Sequence, residues 1–161
     1  MKNAIRYDAA TCKLGRIVVA RLRPGTDLIE GVEKITKDYN IKNAVVCVSI
    51  GSLQSSTFMY VVPKPEHKLK AAYAPPTDIE GAVELLAAIG LVSETREGES
   101  LSHFHGTVCD KEGKIHGGHL VKGKNQALYT IELVILEVKN VSLTRKFDEE
   151  VDAPSLFPEV N

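Results

Sequence analysis

The stretch "ALYTIELVILEVKNVSLTRKF" at residues 127–147 decides the fold class. It is rich in β-branched residues, and polar residues such as Thr130 and Glu132 alternate with apolar neighbours. Because successive side chains of a strand point to opposite faces of a sheet, this pattern predicts a long strand, which either continues or breaks near Asn140. Together with "AVVCVSI" (44–50), it offers more apolar sheet surface than one helix can cover. Such a sheet needs another layer or another subunit.

The clearest helix signal is "TDLIEGVEKITKDYN" at residues 26–40. Its apolar residues recur at helical spacing, and Thr26 or Asp27 can cap the first turn. We therefore predict one main helix at about residues 26–39. With strands before and after it, the expected fold class is α/β of the α+β type, with a mostly antiparallel sheet.

Other stretches predict shorter elements or leave the choice open. Residues 43–63 suggest a buried strand, a bend at Gly51–Ser52 and a second strand. The prolines at 63–76 predict a loop with at most short strands. Residues 82–95, "AVELLAAIGLVSET", combine helix propensity at their start with Gly90 and β-branched residues later, so periodicity does not decide between helix and strand.

The composition is that of one globular domain, 1–161, with 161 residues, 43% hydrophobic residues and a net charge of −1. No apolar run reaches the roughly 18 residues that a membrane span needs. The cysteines, Cys12, Cys47 and Cys109, are odd in number and lack C-x-x-C spacing, which favours free thiols in the cytoplasm. We expect Cys47 to be buried and the acidic tail, 151–161, to be irregular.

Four of the five histidines lie in "SHFHGTVCDKEGKIHGGHL" at residues 102–120. His103 and His105 share a strand face because they are two residues apart. A turn in "DKEGK" would bring the next strand back, so that either His116 or His119 joins the pair. Gly117 and Gly118 permit a bulge, and the sequence alone therefore does not fix the register.

Three imidazoles around one point would suit zinc or another borderline cation. A hydrolytic centre would also need a general base, for which Glu132 and Asp110 are the nearest acidic candidates in the sequence. The alternative is that these histidines are polar strand residues that bond to each other, to water or to a partner chain.

The order of three motifs resembles the PPC domain, the plant and prokaryote conserved domain. They are "RLRPGTDLIEGVEKITKDYNIKNAVVCVSIGSLQSSTFMY", "HFHGTVCDKEGKIHGGHL" and "LTRKFDEE", and the resemblance is strongest over 21–150. It implies an antiparallel sheet, a strand at "AVELLAAIG" and a homotrimer. It also implies a metal, with zinc as first choice, on His103, His105 and His119, without His116.

The resemblance leaves several functions open. We expect a trimeric metal-binding protein whose small-molecule ligand is unknown, and we favour a non-enzymatic role. A DNA-binding or regulatory module is one alternative, and a metal-assisted hydrolase or lyase is another. DNA would need a basic patch formed by Lys64, Lys68, Lys70, Lys122 and Lys124. The chain lacks the R-G-R-P core of an AT-hook, and "GAVELL" (81–86) lacks the arginine and phenylalanine of the plant motif G-R-F-E-I-L.

Overall fold

A computed structural model describes residues 5–95 and 99–160 and shows a mostly antiparallel sheet with one helix in those residues. Its elements are β1 (Lys13–Leu22), α1 (Leu28–Asp38), β2 (Ala44–Leu53), β3 (Ser56–Met59), β4 (Val61–Pro63), β5 (Ala71–Tyr73), β6 (Thr77–Ile79), β7 (Val83–Glu94), β8 (Ser100–Cys109), β9 (Ile115–Leu120), β10 (Ala127–Lys139), β11 (Val141–Asp148) and β12 (Ala153–Val160). This architecture confirms the predicted fold class.

Helix α1 begins where the sequence offers its capping residue. Asp27 Oδ1 accepts hydrogen bonds from the backbone N–H groups of Ile29 and Glu30, at 3.0 and 3.1 Å. These bonds satisfy two of the donors that the first turn of a helix leaves free. The predicted helix is therefore confirmed, with Asp27 as its cap. It is too short and too polar to cross a membrane.

The main sheet has the strand order β1-β10-β2-β7-β8-β9-β3-β6, and β11 joins it beside β7. One face packs against α1 and holds the hydrophobic core, which includes Leu28, Val46, Phe104 and Ile131. The opposite face, called the outer face below, carries exposed apolar residues on three strands, β1, β2 and β7. They are Ile17, Val19, Val48, Ile50 and Ile89. The core lies on only one side of the sheet.

The two ambiguous stretches both form strands. Residues 82–95 contain β7, as the family resemblance predicts, because β7 is paired on both sides, with β2 and β8. Two ladders of hydrogen bonds outweigh the modest helix propensity at the start of this stretch. The long strand at 127–147 breaks at Asn140, which has a φ of 60° between β10 and β11.

The predicted irregular tail is wrong for most of its length. Ala153–Val160 forms β12 and pairs with β11 from Asp148 back to Val141. Pro154 and Pro158 misled the prediction, but a strand with only one neighbour tolerates proline because its other edge needs no N–H donor. Asn161 lies outside the described residues.

Two details of β2 also differ from expectation. Cys47 is exposed, because the pairing of β2 with β10 shifts register between Val46 and Val48 and turns its side chain out of the core. Gly51 lies within β2 and makes no bend there. A Cβ at Gly51, which has a φ of +153°, would lie 2.0 Å from the carbonyl oxygen of Thr130, so glycine serves the close approach of β10.

Candidate metal centre

The β8–β9 hairpin brings three of the four clustered histidines together. His105 is directly opposite His119 in the antiparallel register, and His103 lies two residues earlier on β8. Phe104, between them, is fully buried in the core, so both neighbouring histidines must point to the outer face. The hairpin therefore places His103, His105 and His119 on one side of the sheet.

The three imidazoles converge closely. One ring nitrogen from each lies within 4.8 Å of the other two. His103 Nε2 and His105 Nε2 are 3.1 Å apart. Two nitrogens bound to one tetrahedral zinc ion at about 2.0–2.1 Å lie about 3.3 Å apart, so this pair is already at a suitable spacing. The Nδ1 atom of His119 is buried and has no hydrogen-bond partner within the described part of the chain.

His116 belongs to a different local structure. Its Nε2 lies 2.7 Å from Asp110 Oδ2, and Asp110 Oδ1 accepts from the backbone N–H groups of Glu112 and Lys114 in the turn. The hydrogen bond from His116 is the main reason that the pKa of Asp110 falls to about 2. Asp110 and His116 thus stabilise the hairpin turn.

Neither acidic residue that the sequence suggested as a base lies in the histidine cluster. Asp110 is held in the turn, and Glu132 lies on β10, opposite Arg21 and Ile50. Strands β2 and β7 separate β10 from β8. Three spacings of about 4.8 Å put Glu132 about 14 Å from the histidine strand, too far to assist chemistry there.

Arg145 is a site residue that the sequence reasoning missed. It lies on β11, and its Nη2 is 2.7 Å from His103 Nδ1. A guanidinium can only donate, so His103 accepts at Nδ1 and carries its own proton on Nε2. That proton is then donated to His105 Nε2 across the 3.1 Å contact. The only sequence signal for Arg145 was its place within the family motif "LTRKF" (143–147).

Burial and neighbouring positive charge lower the pKa values of two histidines of the cluster, His103 and His119. The pKa of His103 falls to about 4, first because the ring is partly buried and then because Arg145 and the two other histidines lie close by. The pKa of His119 is also lowered, first by burial and then by the nearby His105 and Arg145. Neutral imidazole is the form that binds metals, so the lowered pKa values favour ligation near neutral pH.

The surroundings of the cluster are apolar on one side and aromatic on another. A concavity of about 390 Å³ opens beside the cluster on the outer face. Its lining residues are Val45, Val46, Cys47, Ile89, Gly90, Leu91, His103 and His105. The ring of Tyr73 lies 5.6 Å from that of His119, centroid to centroid.

Three of the five lysines proposed for a basic patch, Lys68, Lys70 and Lys122, have local partners. Lys122 Nζ lies 2.5 Å from Glu33 Oε2, which neutralises its charge locally. Lys70 donates to the backbone carbonyl of Pro65, and Lys68 donates to that of Glu149. Of these three lysines, only Lys122 is paired with a carboxylate among the described residues, so only its charge is neutralised locally.

Comparison with known proteins places this architecture among solved structures. A plant- and prokaryote-conserved protein of Pyrococcus horikoshii has 25% identity, a TM-score of 0.77, and coverage of 95% of this chain and 98% of its own. A protein of Archaeoglobus fulgidus that is described as metal-containing has 22% identity, a TM-score of 0.77, and coverage of 95% and 99%. A protein of Ralstonia eutropha JMP134, provisionally named as DNA-binding, has 25% identity, a TM-score of 0.70, and coverage of 86% and 88%.

The family of this chain follows from its match to a protein-family model, and the similar structures agree with it. No curated protein matches the sequence. The model of the Plants and Prokaryotes Conserved (PCC) domain matches residues 9–139. The match covers most of the chain, including β1, the helix and the histidine hairpin. The chain therefore belongs to the plants and prokaryotes conserved domain family, abbreviated PCC or PPC.

Proposed function

We propose that this protein binds a divalent transition metal, zinc first among the candidates, through His103, His105 and His119. The observation that carries the proposal is the convergence of three ring nitrogens within 4.8 Å. The donor set suits such an ion, because imidazole is a common ligand of zinc, copper, iron and nickel. The description of the Archaeoglobus fulgidus protein as metal-containing gives independent support.

The residues around the cluster fit this role. His119 Nδ1 lacks a partner among the described residues, and a buried nitrogen of that kind is stabilised by a ligand or a bound ion. A bound zinc ion would supply Lewis acidity and lower the pKa of bound water. Since Glu132 and Asp110 lie elsewhere, we favour binding of a ligand over hydrolysis.

Titration of the metal-stripped protein with zinc tests this proposal. We expect one zinc ion per chain by calorimetry, and the same ratio by elemental analysis after dialysis. Cobalt should bind in its place and give the intense visible absorption of a tetrahedral site, because the ligands are nitrogen atoms in a compact cluster. A ratio near zero, or metal that leaves on dialysis without a chelator, would contradict a specific site.

We also propose that the outer face forms the contact between the subunits of a homotrimer. Exposed apolar residues on β1, β2 and β7 lie on this face, and clustered exposed apolar surface marks interfaces. In a closed cyclic trimer, each subunit boundary buries the same pair of complementary patches. The histidine cluster lies on the same face, so each site would lie near a subunit boundary.

Placing a charge on the outer face should separate the subunits. Ile89, which is 61% exposed in the single chain, is the substitution site, and we expect Ile89→Glu to shift the mass in light scattering from trimer to monomer. Tyr39→Glu is the control, because Tyr39 follows the helix and is 51% exposed. A wild-type monomer, or an Ile89→Glu trimer, would refute the proposed interface.

DNA binding has less support than metal binding. Its basis is the provisional name of the Ralstonia eutropha JMP134 protein, at 25% identity. The net charge of −1 and the pairing of Lys122 with Glu33 work against the electrostatic attraction that non-specific DNA binding requires. We therefore propose a metal-binding protein in place of a DNA-binding module.

We also propose that the protein is located in the cytoplasm. Cys12, Cys47 and Cys109 are free, which suits a reducing compartment.

A further inference from the structure

We propose that Arg145 binds the carboxylate of a small organic acid beside the metal, and that the apolar concavity next to His103 and His105 holds the apolar body of that acid. This inference rests on the proposed metal site and names the class of its ligand. Three features carry it: an incompletely partnered guanidinium, the lack of a salt bridge to it from the described residues, and the apolar lining of the concavity.

Arg145 is a partly buried cation without a counter-ion in the described parts of the chain. Its acceptors there are His103 Nδ1 at 2.7 Å and the carbonyl oxygen of Pro154 at 3.5 Å, and its buried Nε has none. No Asp or Glu of these segments forms a salt bridge with it. Burial of an incompletely paired charge costs free energy, which an arriving anion would offset.

The hydrogen bond from Arg145 to His103 and ligation of His103 compete with each other. His103 faces His105 with Nε2 and Arg145 with Nδ1. A neutral imidazole that ligates through Nε2 carries its proton on Nδ1, which then cannot accept from a guanidinium. Metal binding therefore frees the Nη2 donor of Arg145. The freed guanidinium and the dication are then neighbours, with no salt bridge from a described Asp or Glu to the guanidinium, and together they attract an anion.

The shape of Arg145 and the lining of the concavity select the anion. A guanidinium presents parallel N–H donors that match the two oxygens of a carboxylate. The concavity of about 390 Å³ lies within the range of small-molecule sites, and Val45, Ile89 and Leu91 supply apolar walls. These walls would contact a short alkyl or aryl group but offer no donors to the remaining oxygens of a phosphate. A carboxylic acid with an apolar body fits both parts.

Calorimetric titration of butyrate, acetate and inorganic phosphate into the assembled protein tests this inference. The protein is first loaded with zinc, freed of unbound metal, and compared with its metal-free form. We expect butyrate to bind the zinc-loaded protein at least about tenfold more tightly than the metal-free protein, and more tightly than acetate or phosphate. The proposed trimer would place a neighbouring subunit over this face, so the assembled state is the relevant one.

Substitution of Arg145 should move two affinities in opposite directions. In Arg145→Gln we expect butyrate affinity to fall at least about tenfold, because the bidentate charged pair is lost. Zinc affinity should rise, because a competing hydrogen bond and a nearby positive charge are removed. Arg145→Lys, which keeps the charge but not the fork, should lose part of the butyrate affinity. Arg23→Gln, beyond the end of edge strand β1, is the matched control and should change neither affinity.

The possible results separate the two proposals. Stoichiometric zinc without butyrate binding, or butyrate binding unchanged in Arg145→Gln and Arg145→Lys, overturns the carboxylate inference and leaves the metal site standing. A preference for phosphate overturns the choice of ligand class. A protein that does not bind zinc overturns both proposals. Circular dichroism and zinc content show whether each variant is folded, and Arg145→Lys serves if Arg145→Gln is not.

Discussion

His105→Ala is expected to abolish stoichiometric zinc binding, with at least a 100-fold loss of affinity. Substitutions that only disturb the residues orienting a metal ligand typically cost about 10–100-fold in affinity, so removal of a ligand should cost at least the upper end of that range. His105 is suited to this test because its side chain is exposed and the substitution leaves no cavity in the core. The variant should fold like the wild type.

His116→Ala is the matched control for this prediction. His116 is on the same hairpin but bonds to Asp110 at the turn and is not in the histidine cluster. We expect the control to retain one zinc ion per chain and to lose some hairpin stability. Equal zinc content in His105→Ala and the wild type would contradict the assigned ligand set. Loss of zinc in His116→Ala alone would point to a different site on the hairpin.

Parity along the strands accounts for what the sequence could predict of the site. His103 and His105 share a face in any straight strand, and the buried Phe104 between them fixes which face that is. The third histidine of the cluster was harder to predict, because Gly117 and Gly118 permit a bulge that changes the register. The structure pairs His119 with His105 and His116 with Val108, so His119 is the one that joins the cluster. The family resemblance had already favoured His119.

Arg145 shows what a local pattern could not predict. It is 42 residues from His103 in the sequence, and it reaches that ring only because β11 leaves β10 at Asn140 and lies beside β7. A single parallel contact, Thr144 with Glu94, records that arrangement. Such long-range placement depends on sheet topology, which alternation of polar and apolar residues does not encode.

Pairing with distant strands explains the wrong predictions for Cys47 and for the tail. An apolar stretch such as "AVVCVSI" predicts burial, but a shift of one residue in the pairing moves side chains to the other face. The proline-containing tail predicts irregular structure, but β11 offers it an open edge. In both cases the deciding interaction is with a strand that is distant in the sequence.

Phe104→Ala is expected to lower the free energy of unfolding by about 3–5 kcal/mol, the usual range for a buried phenylalanine. Phe104 is 0% exposed and packs so closely against β7 that a Cβ on Gly90 would lie 2.6 Å from its ring. The substitution leaves a cavity that the flanking strands cannot easily fill. Phe147→Ala is the control, because Phe147 is 60% exposed and should cost much less. Chemical denaturation of both variants measures the difference.

Zinc should partly restore the stability of Phe104→Ala, because the proposed ligands His103 and His105 converge with His119 only in the folded state. A ligand that binds the native state at 100 times its Kd stabilises it by about 2.7 kcal/mol. We expect a gain of that order for the wild type and for Phe104→Ala, and none for Phe104→Ala combined with His105→Ala. A gain that survives removal of His105 would show that zinc stabilises the fold from another position. A loss below about 1 kcal/mol for Phe104→Ala would mean that the core beneath the histidines is less tightly packed than its burial implies.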